Sequence, residues 1–202
     1  MAERNAVSAV VLAGGYASRM GRDKAELDFH GRSFVQHQAE KLRALGIEDI
    51  LLAGYTKPLE GARLIPDIYP HRGPLSGIHA ALLAAENPSV LVLAVDMPLL
   101  PLALLEALIE AHEAGITLTT MSGKWEPLIG VYDVALAPVC ERLLRGEDSS
   151  LRALIRESEL RTVAYRGDPM LLLNCNTPED YRSICAYSEV GSMPIAHKKG
   201  EL

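Results

Sequence analysis

A cluster of glycines followed by two cations stands near the start of the chain, in the run Leu12-Ala13-Gly14-Gly15-Tyr16-Ala17-Ser18-Arg19-Met20-Gly21-Arg22-Asp23-Lys24. Glycines let a backbone turn sharply and bring its N–H groups against a ligand. Arg19 and Lys24 add positive charge to the same loop. Phosphoryl chemistry needs that pairing, because negative charge accumulates on the phosphate oxygens and has to be neutralised. The run is neither GxxxxGK[ST] nor GxGxxG. A glycine-rich loop alone reads equally well as a plain tight turn, and the two cations at fixed spacing favour a ligand loop.

Three further segments carry candidate chemistry. Asp96, in Ala94-Val95-Asp96-Met97-Pro98, ends an apolar run. A carboxylate at the C-terminal end of a central strand faces the crevice where open α/β sheets bind ligands, and a hard oxygen there suits Mg2+ shared with phosphates. A cap for the following helix explains Asp96 equally well. Asp67, with Arg72-Gly73-Pro74-Leu75-Ser76-Gly77, offers close backbone approach, although taken alone this stretch reads better as an ordinary loop opening a helix at Pro74. In Asn174-Cys175-Asn176-Thr177-Pro178-Glu179-Asp180, Thr177, Pro178 and Asp180 make a conventional helix start. Asn174 and Asn176 are left over, and their amide oxygens could serve a metal or a substrate. The six histidines show no metal-ligand spacing. His37 is expected on a helix facing the loop side, within reach of substrate, and no Ser-His-Asp arrangement is expected.

The elements that must position these residues alternate. Residues 6–13, 50–53, 89–96, 116–121, 128–132 and 171–175 read as strands. Residues 33–45, 74–86, 102–114, 135–145, 150–157 and 178–186 read as helices. This alternation predicts an α/β fold, a single domain over 1–187 with a mostly parallel sheet and helices on both faces. Residues 188–202 lack periodicity and are expected to form a flexible tail.

Composition narrows the partners. Aromatics make up 5% of the chain, so the core must be aliphatic. The net charge of -6 gives no sign of the clustered basic surface that nucleic acid requires, yet a local positive pocket can still take a small anion. Three cysteines without a CxxC argue against a disulfide framework or a zinc site and make a reducing cytoplasm the default. No signal peptide is expected. The apolar stretch 90–109 is broken by Asp96, Pro98 and Pro101, so no membrane span is expected either.

In order and spacing, these segments together with residues 127–132 resemble the molybdenum cofactor guanylyltransferase, or MobA-type nucleotidyltransferase, family across about 7–181. The family pattern resembles LAGGxSxRMGxDK, an Asp followed by GPLxG, a strand ending DxP, a PL-x(3)-Y segment, and NxNTPED. The resemblance implies a Rossmann-like three-layer sandwich of the nucleotide-diphospho-sugar transferase type. It implies transfer of GMP from GTP to molybdopterin-bound molybdenum, with Mg2+ as cofactor and pyrophosphate as leaving group. In that scheme Leu12, Ala13, Gly14 and Gly15 hold the nucleotide through the backbone, and Arg19 and Lys24 neutralise the triphosphate. Asp67 contacts the nucleotide, Asp96 binds Mg2+, and Asn174 and Asn176 lie on the molybdopterin side. GTP and the molybdopterin cofactor are the implied partners, with other cofactor-biosynthesis proteins and molybdoenzyme chaperones around them.

Two positions depart from the pattern. Ala17 stands where many relatives have Ser, and Leu52-Ala53-Gly54-Tyr55 lacks an Asn that relatives can carry. Gly14 and the GPLxG segment favour guanine over the cytosine of cytidylyltransferases, which look like LAAG at this point. The competing readings are a cytidylyltransferase or sugar-phosphate nucleotidyltransferase on the same scaffold, and a non-catalytic nucleotide-binding accessory protein of molybdoenzyme maturation. A phosphate nucleophile is already anionic, so in-line displacement needs no strong general base, consistent with the lack of an obvious His base.

Overall fold

The computed structural model describes residues 6–14 and 23–191. Gly15 and Arg19 of the proposed ligand loop lie outside the described residues, as do residues 192–202 of the expected tail. In chain order the strands are β1 (Val7–Leu12), β2 (Asp28–Phe29), β3 (Arg32–Ser33), β4 (Ile50–Ala53), β5 (Arg63–Ile65), β6 (Ser89–Ala94), β7 (Ile116–Met121), β8 (Lys124–Asp133) and β9 (Leu160–Ala164). The α-helices are α1 (Phe34–Ala44), α2 (Pro74–Ala84), α3 (Leu102–Ala111), α4 (Ala137–Arg145), α5 (Leu151–Arg156) and α6 (Pro178–Gly191).

Among the described residues, seven strands form one sheet in the order β5-β4-β1-β6-β8-β7-β9, and β2 and β3 make a separate short hairpin. β1 pairs in parallel with β4 and β6, and Leu12 stands level with Ala53 and Ala94. The C-terminal ends of the central strands therefore finish at one edge. β8 runs against both neighbours, β6 and β7, whereas β9 pairs in parallel with β7.

β4 and β6 are buried along their whole length and β1 nearly so. Parallel strands covered on both faces require such continuous apolar runs. Alternate residues feed two apolar layers. Val11, Leu52, Leu91 and Leu93 pack with Phe34 and Leu42 of α1, Leu105 of α3 and Ile184 of α6. Val10, Leu51, Val90 and Val92 pack with Leu75 and Ile78 of α2, Cys140 of α4 and Leu154 of α5. Each such aliphatic side chain contributes roughly 1.5–3 kcal/mol when fully buried. The expected three-layer α/β arrangement is thus present.

Several local expectations are corrected. Residues 171–175 form no strand; a 3-10 turn spans Pro169–Leu172, followed by an extended link. The sheet edge beside β7 is taken by β9, and the leucines of this link instead pack on the α1/α3/α6 layer. An apolar run of this length cannot distinguish a strand from a buried connector. β9 was not expected, because all five of its residues are at least partly exposed and three of them, Arg161, Thr162 and Ala164, are polar or small. The closing helix was expected to stop at 186 and runs to Gly191.

At the N-terminal ends of β1 and β4, opposite to Asp96, a buried polar knot ties the strands together. Ser8 Oγ donates to Asp49 Oδ2 at 2.5 Å, and the Glu86 N–H donates to the same oxygen at 3.0 Å. Arg63 Nη2 and Nε donate to Asp49 Oδ1 at 2.5 and 3.1 Å. Burial pushes the Asp49 carboxyl up, but the bonds from Ser8, the Glu86 N–H and Arg63 outweigh it and hold the group below its ordinary range. Asp49→Ala leaves these donors unpaired and should lower stability by about 2 kcal/mol in urea unfolding.

Candidate active site

The glycine-rich loop leaves the sheet where β1 ends. The Val95 N–H donates to Leu12 O at 3.1 Å and the Ala13 N–H donates to Ala53 O at 2.8 Å, so the chain is still fixed to both neighbours there. Gly14 then lies against Gly54. Gly54 has φ +73°, and a Cβ on it would sit 2.4 Å from Gly14 Cα. Only glycine fits that approach. Gly77 serves a similar end on α2: a Cβ there would come within 2.9 Å of Leu12 Cδ2, so its absence lets the helix start pack on the end of β1.

On the far side of residues 15–22 the chain is fixed again. Asp23 accepts from the Ala25 N–H at 3.0 Å and caps a 3-10 turn at Lys24–Glu26. Glu26 receives Lys57 Nζ and the Tyr55 hydroxyl at 2.7 and 2.6 Å, which hold its carboxyl below the usual range. Gly54, Tyr55 and Lys57 all belong to the segment after β4. This segment therefore anchors both flanks of the loop, a role that nothing in its residue types announces.

Lys24 points into the crevice. Its Nζ lies 2.7 Å from Asp96 Oδ2 and 2.6 Å from Asn176 Oδ1. The Lys24 and Asp96 side chains are 17% and 18% exposed, so this ion pair is largely shielded from water. Asp96 sits two residues past β6. The Cys175 N–H donates to its main-chain oxygen at 2.8 Å and brings the asparagine segment alongside. Asp180 Oδ2 accepts from the Asn176 and Thr177 N–H groups at 3.0 and 2.8 Å, and Thr177 Oγ1 accepts from the Asp180 N–H at 3.1 Å. This reciprocal cap opens α6 as the sequence predicts and fixes Asn176 at the site.

Two hard oxygen donors, Asp96 Oδ2 and Asn176 Oδ1, thus converge on one cation, the Lys24 ammonium. A carboxylate plus an amide oxygen, completed by substrate phosphates and water, suits Mg2+. Among the described residues no group of three or more His, Cys, Asp or Glu side chains is assembled that could hold a metal. The donor set therefore fits a divalent cation shared with a substrate, not one caged by protein.

The other expected residues sit around this centre. Asp67 lies beyond the edge strand β5, where Oδ1 accepts from Ser76 Oγ and from the Tyr69 N–H, the latter at 3.3 Å. It is thereby tied to the start of α2 and not to the Lys24–Asp96 pair. The Asn174 main-chain oxygen accepts from the Asn176 N–H at 3.1 Å, and its half-buried side chain makes no hydrogen bond among the described residues. In the PL-x(3)-Y segment, the fully buried Tyr132 donates to Pro127 O at 2.6 Å and closes the irregularity where the β7–β8 register shifts. Its role is structural.

His37 is partly buried on α1, against the turn that follows β6. Its Nε2 lies 3.1 Å from Pro98 O, and its pKa is pushed down to about 4, first by burial and then by the nearby Lys41 charge. A Thr-His-Asp alignment exists at Thr117, His112 and Asp133, with contacts of 3.1 and 3.0 Å. Thr117 is completely buried, so the alignment locks α3 to β7 and β8 and offers no nucleophile.

Residues 9–163 match a family model described as MobA-like NTP transferase domain. A probable molybdenum cofactor guanylyltransferase from Opitutus terrae is 36% identical over 191 residues, covering 89% of this chain and 95% of that protein. A molybdenum cofactor guanylyltransferase from Xanthomonas euvesicatoria pv. vesicatoria is 34% identical over 176 residues, covering 85% and 90%. The crystal structure of molybdopterin-guanine dinucleotide biosynthesis protein A from Archaeoglobus fulgidus superposes with a TM-score of 0.78. Its identity is 22%, with 91% of this chain and all of that chain covered, and it shows the shared fold.

The Gly14–Gly54 contact has a direct test. Gly54→Ala forces the loop away from β4 and should weaken GTP binding by about tenfold or more in calorimetry, with about 1–3 kcal/mol of stability lost to backbone strain. Gly46→Ala, at φ +78° with open space around the added Cβ, should lose stability but keep its GTP affinity.

Proposed function

The chain belongs to the MobA-like NTP transferase family, and on that premise we propose that it transfers GMP from GTP to the terminal phosphate of Mo-molybdopterin, the molybdopterin-bound molybdenum cofactor, and releases pyrophosphate. The names of its relatives support the reaction. The observation that carries the reading is the three-way contact of Lys24, Asp96 and Asn176, a cation and two oxygen donors gathered at the C-terminal edge of a parallel sheet. That edge is where such sheets bind nucleotides.

The chain's own residues divide the work. Lys24 neutralises phosphate oxygens, assisted by Arg19 from the loop. Asp96 would hold Mg2+, which would supply further neutralisation and alignment of the triphosphate. A phosphate entering the crevice would compete with Asp96 and Asn176 for the Lys24 ammonium, leaving the Asp96 carboxylate free to hold a metal. The terminal phosphate of molybdopterin attacks the α-phosphorus in line. It carries its own negative charge, so the site needs position and neutralisation and no histidine base. His37, engaged with Pro98, is in keeping with that.

On the nucleotide side, the Ala13 N–H and one acceptor position of Leu12 O are already committed to the sheet. The base and ribose are therefore read from Ala13 O, Gly14 and Gly15 onward. Asp67, fixed to Ser76, contacts the nucleotide from the α2 side. Gly14 leaves room for guanine. Asn174 and Asn176 face the molybdopterin. The protein works in the cytoplasm, alongside other cofactor-biosynthesis proteins and molybdoenzyme chaperones. Among the described residues no helix is long and apolar enough to cross a membrane.

GTP with Mg2+ should raise the melting temperature and CTP should not; stabilisation by CTP alone favours the cytidylyltransferase reading. With GTP and the molybdopterin acceptor, Asp96→Asn should bind GTP yet release pyrophosphate ~10²–10³ slower than wild type. Wild-type protein that binds GTP but releases no pyrophosphate with the genuine acceptor would favour the accessory-protein reading.

A further inference from the structure

The inward face of α1 is apolar at Phe34, Val35, Ala39 and Leu42, yet it also carries Gln38, which has no exposed surface. A buried amide is unfavourable unless its polar atoms are paired. Gln38 Nε2 donates to Ala94 O at 3.0 Å and to Met97 O at 2.9 Å. Its Oε1 is buried and accepts no hydrogen bond among the described residues. An aliphatic side chain would fill this position without that penalty, so packing alone does not explain a glutamine. The two carbonyls it holds bracket Asp96.

Its neighbours on the helix act on the same turn. His37 Nε2 lies 3.1 Å from Pro98 O, and Lys41 Nζ also donates to Pro98 O. From the other side, the Cys175 N–H holds Asp96 O and Leu12 O accepts from the Val95 N–H. The carbonyls of Ala94, Asp96, Met97 and Pro98 each engage a partner outside the turn. The Asp96 main-chain oxygen is thus engaged, and its carboxylate faces the crevice, where it meets Lys24.

We propose that Gln38, supported by His37 and Lys41, is a positioning residue that fixes the Asp96 turn so that its carboxylate meets the nucleotide-bound divalent cation in one placement. The inference rests on Asp96 being the metal-holding carboxylate. It extends that reading to a helix that contributes no group to the reaction itself. Partners that orient a metal ligand through hydrogen bonds commonly govern metal affinity in this way.

The test compares wild type, Gln38→Leu and Lys41→Met with Mn2+ as a spin probe in the presence of GTP. Mn2+ affinity should fall about 10–100-fold in Gln38→Leu, and by less in Lys41→Met. GTP affinity in EDTA should be unchanged. Amide exchange at Val95 and Leu100 should accelerate while the rest of the sheet keeps its protection. Wild-type Mn2+ affinity and turn exchange in folded Gln38→Leu would overturn the proposal, whatever happens to the melting temperature. Should Gln38→Leu fail to fold, wild-type values in Lys41→Met overturn it in the same way. A wild type that binds Mn2+ with GTP, loses that binding in Asp96→Asn, but transfers no GMP would refute the transferase reading and leave the positioning role standing. Equal Mn2+ binding in wild type and Asp96→Asn would refute both.

Discussion

An ammonium group shared by one carboxylate and one amide oxygen can form only if three distant stretches of chain finish at the same place. Lys24 arrives from the loop after β1, Asp96 from the end of β6, and Asn176 from the link that follows β9. The register of β1 against β6 ends the two strands at the same level, Leu12 beside Ala94, and the bond from the Cys175 N–H to Asp96 O draws in the third stretch. Shielding from water strengthens each electrostatic contact and makes an unpaired charge expensive. In the proposed function, a phosphate that takes Lys24 would leave Asp96 without its partner, and a divalent cation would replace it.

Much of the remaining structure can be understood as support for that meeting. Gly54, Tyr55 and Lys57 fix both flanks of the glycine-rich loop, and the cap formed by Thr177 and Asp180 sets Asn176. The parallel half of the sheet, β5, β4, β1 and β6, leaves its loops and the start of α2 on one side of the crevice. The reversal at β8 and the outer strands lie on the side where the asparagine link returns. In the proposed reaction donor and acceptor substrates would have separate walls, with the charged centre between them. The polar knot at Ser8, Asp49 and Arg63 closes the opposite end of the sheet without touching the chemistry.

The residues that could be read ahead of the structure are those whose type is hard to explain otherwise. Lys24 after a glycine run and Asn176 beside a complete helix cap each left an unexplained polar group, whereas Asp96 at the end of an apolar strand read equally well as a metal ligand and as a helix cap. β1, β4 and β6 were legible because burial on both faces demands an unbroken apolar run. β9 was not, since an outer strand such as Leu160–Ala164 needs no such pattern, and the buried link at 171–175 imitated one. Gln38, and the contact that His37 makes, escaped for a different reason. Their partners are main-chain carbonyls of a turn some sixty residues away, within separations of 56 to 61 positions, and a carbonyl has no signature in the sequence. Asp67 was legible as a polar residue near a helix start, but its bond to Ser76 depends on how β5 meets α2.

The structure of the complex with GTP and Mg2+ is the most direct test. The triphosphate should lie against Lys24 Nζ, with the Asp96 carboxylate turned from that nitrogen to the metal and the guanine beside Gly14. A triphosphate bound elsewhere, with Lys24 still joined to Asp96 and Asn176, would contradict the exchange of partners on which the proposed chemistry depends.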